Sequence, residues 1–169
     1  IALASLLKSD NDEAVALAKD ALSTYNGDIS YTLASVFEDS GDAGKKAILE
    51  LIAIRKMESQ YNLVYNQMFG DNKVIKSAAA HTLKDVSTDR NLADLFTLLE
   101  RADATDVPAI QQAINAALDY LPAEKQLDLV TQRMKNSSNK HLYYSALANS
   151  ESKEAMDIIT NAYATATGA

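Results

Sequence analysis

The sequence predicts an all-α chain assembled from helix pairs that recur along it, and three observations carry that prediction. One apolar stripe at i, i+3, i+7 is written four times: Tyr61, Val64 and Met68; Leu92, Leu95 and Leu99; Leu127, Val130 and Met134; Met156, Ile159 and Tyr163. The copies are offset by 31, 35 and 29 residues, inside the period of roughly 20–50 residues at which repeat arrays bury each unit only against its neighbours. Helix breakers are scarce, with 5 Gly and 2 Pro in 169 residues, against roughly 7% and 5% in an average protein. No run of alternating β-branched residues offers a competing strand. The fold class that follows is an α-solenoid, a superhelix of antiparallel helix pairs, forming one domain over residues 1–169.

The helices can be placed in order from their starts and stops. Asp10 and Glu13 resemble a capping box for residues 11–24, which Asn26-Gly27 terminates. Asp28 opens a segment to about residue 39, closed by Ser40-Gly41, and Asp42 begins the next through Ile48, Leu51, Ile52 and Ile54. Residues 59–69 stop at Gly70, Asp71 caps 72–86, and Thr88 or Asp89 opens 90–101. Pro108 sits in the first turn of 107–121 and Pro122 in that of 123–134, positions where a missing N–H costs nothing. Two last helices cover roughly 138–148 and 152–165, and the small-residue tail 165–169 is expected to fray. Helices with large apolar stripes alternate with alanine-rich ones (Ala78-Ala79-Ala80, Ala113/Ala116/Ala117, Ala146/Ala148). Small side chains let helices approach closely, so the alanine-rich set is the expected place of repeat-to-repeat packing.

Composition removes several function classes. The net charge is −7, with 16 Lys and Arg dispersed among 23 acids, so the basic stripe that a nucleic-acid binder needs is missing. An anionic membrane is disfavoured for the same reason, and no stretch reaches the roughly 20 apolar residues of a membrane span. The chain has no cysteine, which excludes disulfides, thiolate metal sites and a Cys nucleophile. It begins at Ile1 inside the apolar run IALASLL, which predicts a segment of a longer protein. Residues 1–7 are too apolar to face water, so a further helix is expected against them.

Residues 71–86 carry a more specific pattern. Asp71, Val74, Lys76, Ala78, Ala80, Leu83 and Val86 resemble the second helix of a HEAT-type repeat: an Asp, a Val, a basic residue, alanine-rich spacing to Leu, and a final aliphatic. A shift of 35 gives Asp106, Ala113, Leu118 and Leu121, with Ala109 and Gln111 replacing the Val and the basic residue. A shift back of 29 gives Asp42, Leu49, Ile54 and Met57, and the third copy departs, with Lys135 where the Asp would stand. The resemblance covers residues 42–165 best and implies a HEAT/armadillo-like solenoid. Residues 91–100 (NLADLFTLLE) and 107–118 (VPAIQQAINAAL) also resemble helical segments attached to 3-keto-disaccharide-hydrolase-type domains of secreted bacterial proteins. That likeness implies a periplasmic or extracellular location and catalytic residues outside this chain.

No catalytic, cofactor or metal site can be assembled from the spacing. His81 and His141 are the only histidines; neither has a partner at ligand spacing, and both read as solvated or packing residues. Residues 40–46 (SGDAGKK) lack the Gly and the Ser or Thr of a phosphate loop and join two helices. Residues 10–13 (DNDE) open like a calcium loop, but Val15 and Ala21 occupy its Gly and Glu positions. Asn136-Ser137-Ser138 is a formal glycosylation acceptor. The repeat offsets do align polar residues into ladders across the second helices: Lys76, Gln111 and Lys140; Ser77, Gln112 and His141; Asn115 and Tyr144. Second helices line the inner face of such arrays, so these residues are the candidate partner-binding positions and are expected to face solvent. They also read as ordinary solvated positions. The expected function is non-catalytic, an interaction or scaffolding module that holds a protein partner or a neighbouring domain of the same chain. The alternative is a glycan-contacting accessory domain of a sugar hydrolase, using amphipathic tyrosines, and a self-contained enzyme is the remaining reading.

Overall fold

The computed structural model describes residues 2–167. Among them every regular element is helical: α1 (Ala2–Ser5), α2 (Asp12–Ser23), α3 (Ser30–Phe37), α4 (Asp42–Ile54), α5 (Tyr61–Gln67), α6 (Lys73–Val86), α7 (Leu92–Arg101), α8 (Val107–Leu118), α9 (Ala123–Lys135), α10 (Tyr144–Asn149) and α11 (Lys153–Thr167). Short 3-10 turns at Leu6–Lys8, Glu58–Gln60, Asp89–Asn91 and Lys140–Tyr143 lead into or follow them. The chain divides into two compact units, residues 1–86 and 87–169.

In the first unit α2, α4 and α6 lie side by side and run the same way. Lys19 on α2 donates to Glu50 on α4 at 2.7 Å, Asn72 just before α6 donates to Asp42 at the start of α4 at 2.9 Å, and the Thr82 hydroxyl on α6 donates to the Leu49 carbonyl at 3.3 Å. The core is the apolar face these helices share with α3 and α5: Leu22, Leu33, Phe37, Ile48, Leu51, Ile52, Val64 and Leu83 are fully buried. Gly44 is needed where the chain crosses α4. A Cβ there would lie 2.0 Å from the Leu7 carbonyl oxygen, so only glycine admits the backbone of the Leu6–Lys8 turn this close. Leu7 and Ala4 are themselves buried. The apolar start is therefore partly covered by α4 and its neighbours; Leu3 and Leu6 stay exposed, and Ile1 lies outside the described residues.

The second unit is built in the same way. Gln111 on α8 donates to the Leu142 carbonyl at 2.9 Å, Asn115 donates to the Ser145 hydroxyl at 3.0 Å, and Asn149 donates to Asp119 at 2.9 Å, so α8 and α10 also run in parallel. Leu95, Phe96, Leu99, Ile110, Ile114, Leu118, Val130 and Leu147 form its core.

Several sequence expectations need correction. The caps of α2 and α6 are Asn11 and Asn72, one residue after Asp10 and Asp71: Asn11 Oδ1 accepts from the Glu13 and Ala14 amides, and Asn72 Oδ1 from those of Val74 and Ile75. Thr88 does open its helix, its amide donating to Asn91 Oδ1 at 2.9 Å. Pro122 is the N-cap of α9 and not a first-turn residue. The tail remains helical to Thr167, and residues 168–169 lie outside the described set. Three of the four apolar stripes are core or half-buried, whereas in the last Met156 is 53% and Tyr163 71% exposed. On α11, which packs on α10, Ala155 is buried and Ile159, one turn on, is half-buried, so the inward face passes through the middle of the stripe and leaves Met156 and Tyr163 outside it. The stripe's spacing was correct and its direction was not.

Candidate functional site

The polar ladders read from the sequence fall into both units. Lys76 is half-buried on α6. In the second unit Gln111 and Asn115 are half-buried and spend their amides on the turn and helix that follow, bonding Leu142 and Ser145. These two therefore hold α8 to the Lys140–Asn149 segment and do not present free donors to solvent. Gln112, Lys140 and His141 are exposed, and Tyr144 is half-buried. The structure thus brings Gln111 and Asn115 together with the segment carrying Lys140, His141 and Tyr144, through bonds that hold the fold together.

A concavity lies in the first unit, between α4 and α6. It is an open groove of about 680 Å³. Its α4 wall is Lys46, Glu50 and Ala53, and its α6 wall includes Lys73, Val74, Ser77, Ala78, His81 and Lys84, with Asp85 on the rim. Two properties follow from the residues. Ala53 and Ala78 are small, so the backbones are open to close approach; Val74, 55% exposed, adds apolar area without a covering group. The cations outweigh the available acids. Glu50 is taken by Lys19 at 2.7 Å and Lys46 at 4.0 Å, and its hydrogen bond raises the Lys19 ammonium above the ordinary lysine range, against the opposing cost of burial. Among the described residues, Lys73 and Lys84 have no carboxylate within 4.0 Å. A chain of net charge −7 therefore keeps a locally basic groove.

Of the sequence-derived candidates, only the ladder residue Ser77 and His81 line it. His81 is exposed, as is His141. The stripe Lys73, Ser77, Lys84 at helical spacing, beside alanines, was the available signal. The repeat offsets mark Ser77 as a ladder rung, whereas Lys73 and Lys84 belong to no ladder.

The second unit has a smaller, polar cleft of about 390 Å³ where α7 and α9 end, lined by Glu100, Arg101, Arg133, Ser137 and Tyr143 among others. Its floor is structural. Tyr143 stacks on Phe96 with ring centroids 5.7 Å apart and donates its hydroxyl to Glu100 at 2.5 Å. Burial first, and then the Glu100 carboxylate, push the Tyr143 phenol well above its ordinary range. Arg133 lies over the Phe96 ring at 5.6 Å. Arg101 and Arg133 stand in the last turns of α7 and α9, where they offset the negative helix ends.

Among the described residues, no three His, Asp or Glu side chains gather so as to hold a metal ion, and no helix is long and apolar enough to cross a membrane. Comparison with protein families, curated proteins and solved structures finds no match for this chain.

Proposed function

We propose that the chain is a non-catalytic helical-repeat module of the HEAT-like solenoid type, which binds a protein segment in the α4/α6 groove of its first unit. The observation that carries this reading is the groove itself: two parallel helices, bonded to each other at their start and near their middle, leave between them an open, small-residue channel lined by lysines. The repeat reading is supported by the sequence separations of the bonds between elements. Lys8–Asp39, Lys19–Glu50, Asn72–Asp42, Gln111–Leu142, Asn115–Ser145 and Asn149–Asp119 all join residues 30 or 31 apart. Others span 28 to 33 residues (Arg55–Gly27, Arg55–Leu22, Thr82–Leu49), with Tyr143–Glu100 at 43 and Asn149–Gln126 at 23; separations that cluster in this way are what a stack of similar helix pairs generates. A rigid, pre-organised surface lowers the ordering cost of binding, which gives a stack without catalytic groups a physical use.

The test is a blocking substitution. Ala78→Arg fills the channel from a half-buried position on α6, and Gln112→Ala, on an exposed position of the other unit, serves as control. Binding of the natural partner, measured by calorimetry, should fall by tenfold or more (about 1.4 kcal/mol) with Ala78→Arg alone. Equal affinity in both variants with unchanged melting would remove the groove from the function.

A further inference from the structure

We infer that the α4/α6 groove recognises an acidic amphipathic helix, with carboxylates about three turns apart on either side of an apolar patch; this rests on the groove being the binding site. The spacing comes from the cations. Lys73 and Lys84 are 11 positions apart on one helix, a separation of about 16 Å at 1.5 Å per residue. Both are exposed, and among the described residues both are without a carboxylate within 4.0 Å. Between them the surface changes character to Val74, Ser77 and Ala78 on α6, facing Ala53 on α4.

The occupant's charge follows from the whole lining. Three lysines (Lys46, Lys73, Lys84) face two carboxylates (Glu50, Asp85). Glu50 is already engaged by Lys19 from α2 and by Lys46, which leaves Asp85 as the one acid opposing an incoming carboxylate. His81 sits between the two lysines and brings no negative charge. The occupant's shape follows from the walls. Two parallel helices with alanines at their seam form a trough into which the ridge of a third helix packs, and helix-in-groove recognition reads anchors at i, i+3, i+4 and i+7. An extended peptide would find no unpaired strand edge here, because all regular elements among the described residues are helical.

The test uses the full chain and synthetic alanine-based helices of about four turns, fluorescently labelled and followed by anisotropy. One probe carries glutamates about three turns apart with leucines between them on the same face; a second replaces the glutamates by lysines; a third replaces them by glutamines; a fourth keeps the glutamates and omits the leucines. The glutamate–leucine helix should bind about tenfold or more tighter than the lysine version, and the preference should shrink as salt rises. The double variant Lys73→Glu, Lys84→Glu should reverse the preference, so that the lysine helix now binds better. That swap reads specificity rather than folding, since the variant still binds a ligand. Equal binding of the glutamate and glutamine helices, both lost on Ala78→Arg, would overturn the acidic inference and leave the groove as the site. Binding of the leucine-free glutamate helix as tight as that of the leucine-bearing one would reduce the groove to a general polyanion attractor and overturn the helix reading. Binding of no probe, or binding indifferent to Ala78→Arg, would overturn the groove as a binding site together with this inference.

Discussion

Arg55 and Lys56, at the end of α4, show how much local structure depends on single side chains. The Arg55 guanidinium donates to the Leu22 carbonyl at 3.1 Å, to that of Gly27 at 2.7 Å, and to that of Tyr25. One cation thus satisfies the Leu22 carbonyl in the last turn of α2 and fixes the loop that follows through Tyr25 and Gly27, where positive charge suits the helix end. Lys56 stands in the left-handed region at φ 48°. Its amide bonds Ala53 and the Met57 amide bonds Ile52, the pattern that usually carries glycine. Lys56→Gly should therefore raise stability by about 1 kcal/mol, the scale of the left-handed penalty, read as a higher urea midpoint with unchanged slope. Gly44→Ala should do the opposite. The gain of up to about 1 kcal/mol in helix propensity is overtaken by a Cβ 2.0 Å from the Leu7 carbonyl oxygen, and the melting temperature should fall. Tyr143 provides a pH-dependent case. Its phenol is held above the ordinary value near 10 by burial and Glu100, so above pH 10 the native state retains a proton that the unfolded chain releases. Stability from this group is whole below pH 10 and declines as pH rises beyond it. Tyr143→Phe should cost about 1 kcal/mol at pH 8 through the lost hydrogen bond, and the gap to the parent chain should narrow in urea melts at pH 11.

At the scale of elements, the core helices were legible because period and caps agree. α7 is the plainest: Leu92, Leu95 and Leu99 sit on one face, and all are buried. Leu95→Ala should cost about 2–5 kcal/mol, as comparable core truncations do; an unchanged melting temperature would mean that this face is not core. α11 was legible as a helix but not in its orientation. Its Met156, Ile159 and Tyr163 copy the spacing of the other stripes, while the buried residue is the smaller Ala155, with Ile159 half-buried beside it. A stripe fixes which residues share a face; only the neighbouring element fixes where that face points. The same limit applied to the ladders. Gln111 and Asn115 are polar and repeat-aligned, and both were expected in solvent, yet each makes a hydrogen bond to the next element. Polar residues on this alanine-rich helix serve as fasteners to the following segment, a role that sequence spacing cannot separate from binding. Asn115→Leu should accordingly destabilise the second unit by about 0.5–1.5 kcal/mol, measured by chemical denaturation, with no effect on groove binding in the first unit.

Across the whole molecule, the all-helical class, the element order and most boundaries followed from apolar period, scarce breakers and capping residues. The groove did not: Val74, Ser77 and Ala78 stand in the motif and the ladder, but nothing in the sequence shows that Lys46, Glu50 and Ala53 on α4 lie opposite them. The step of 30 or 31 residues that six of the bonds between elements share was half visible in the stripe offsets of 31, 35 and 29. The proposed stack of tiers makes stability local, so opening should proceed by fraying and not only as a single event. Native-state hydrogen exchange tests this most directly. Stacked tiers predict strongest protection in α4 and the second half of α6 in the first unit and in α8 in the second. Protection should decline stepwise towards α1 and α11, with opening free energies below that of global unfolding. Uniform protection across the eleven helices of the described residues, vanishing in one cooperative step, would contradict the proposed repeat architecture on which the proposed binding module rests.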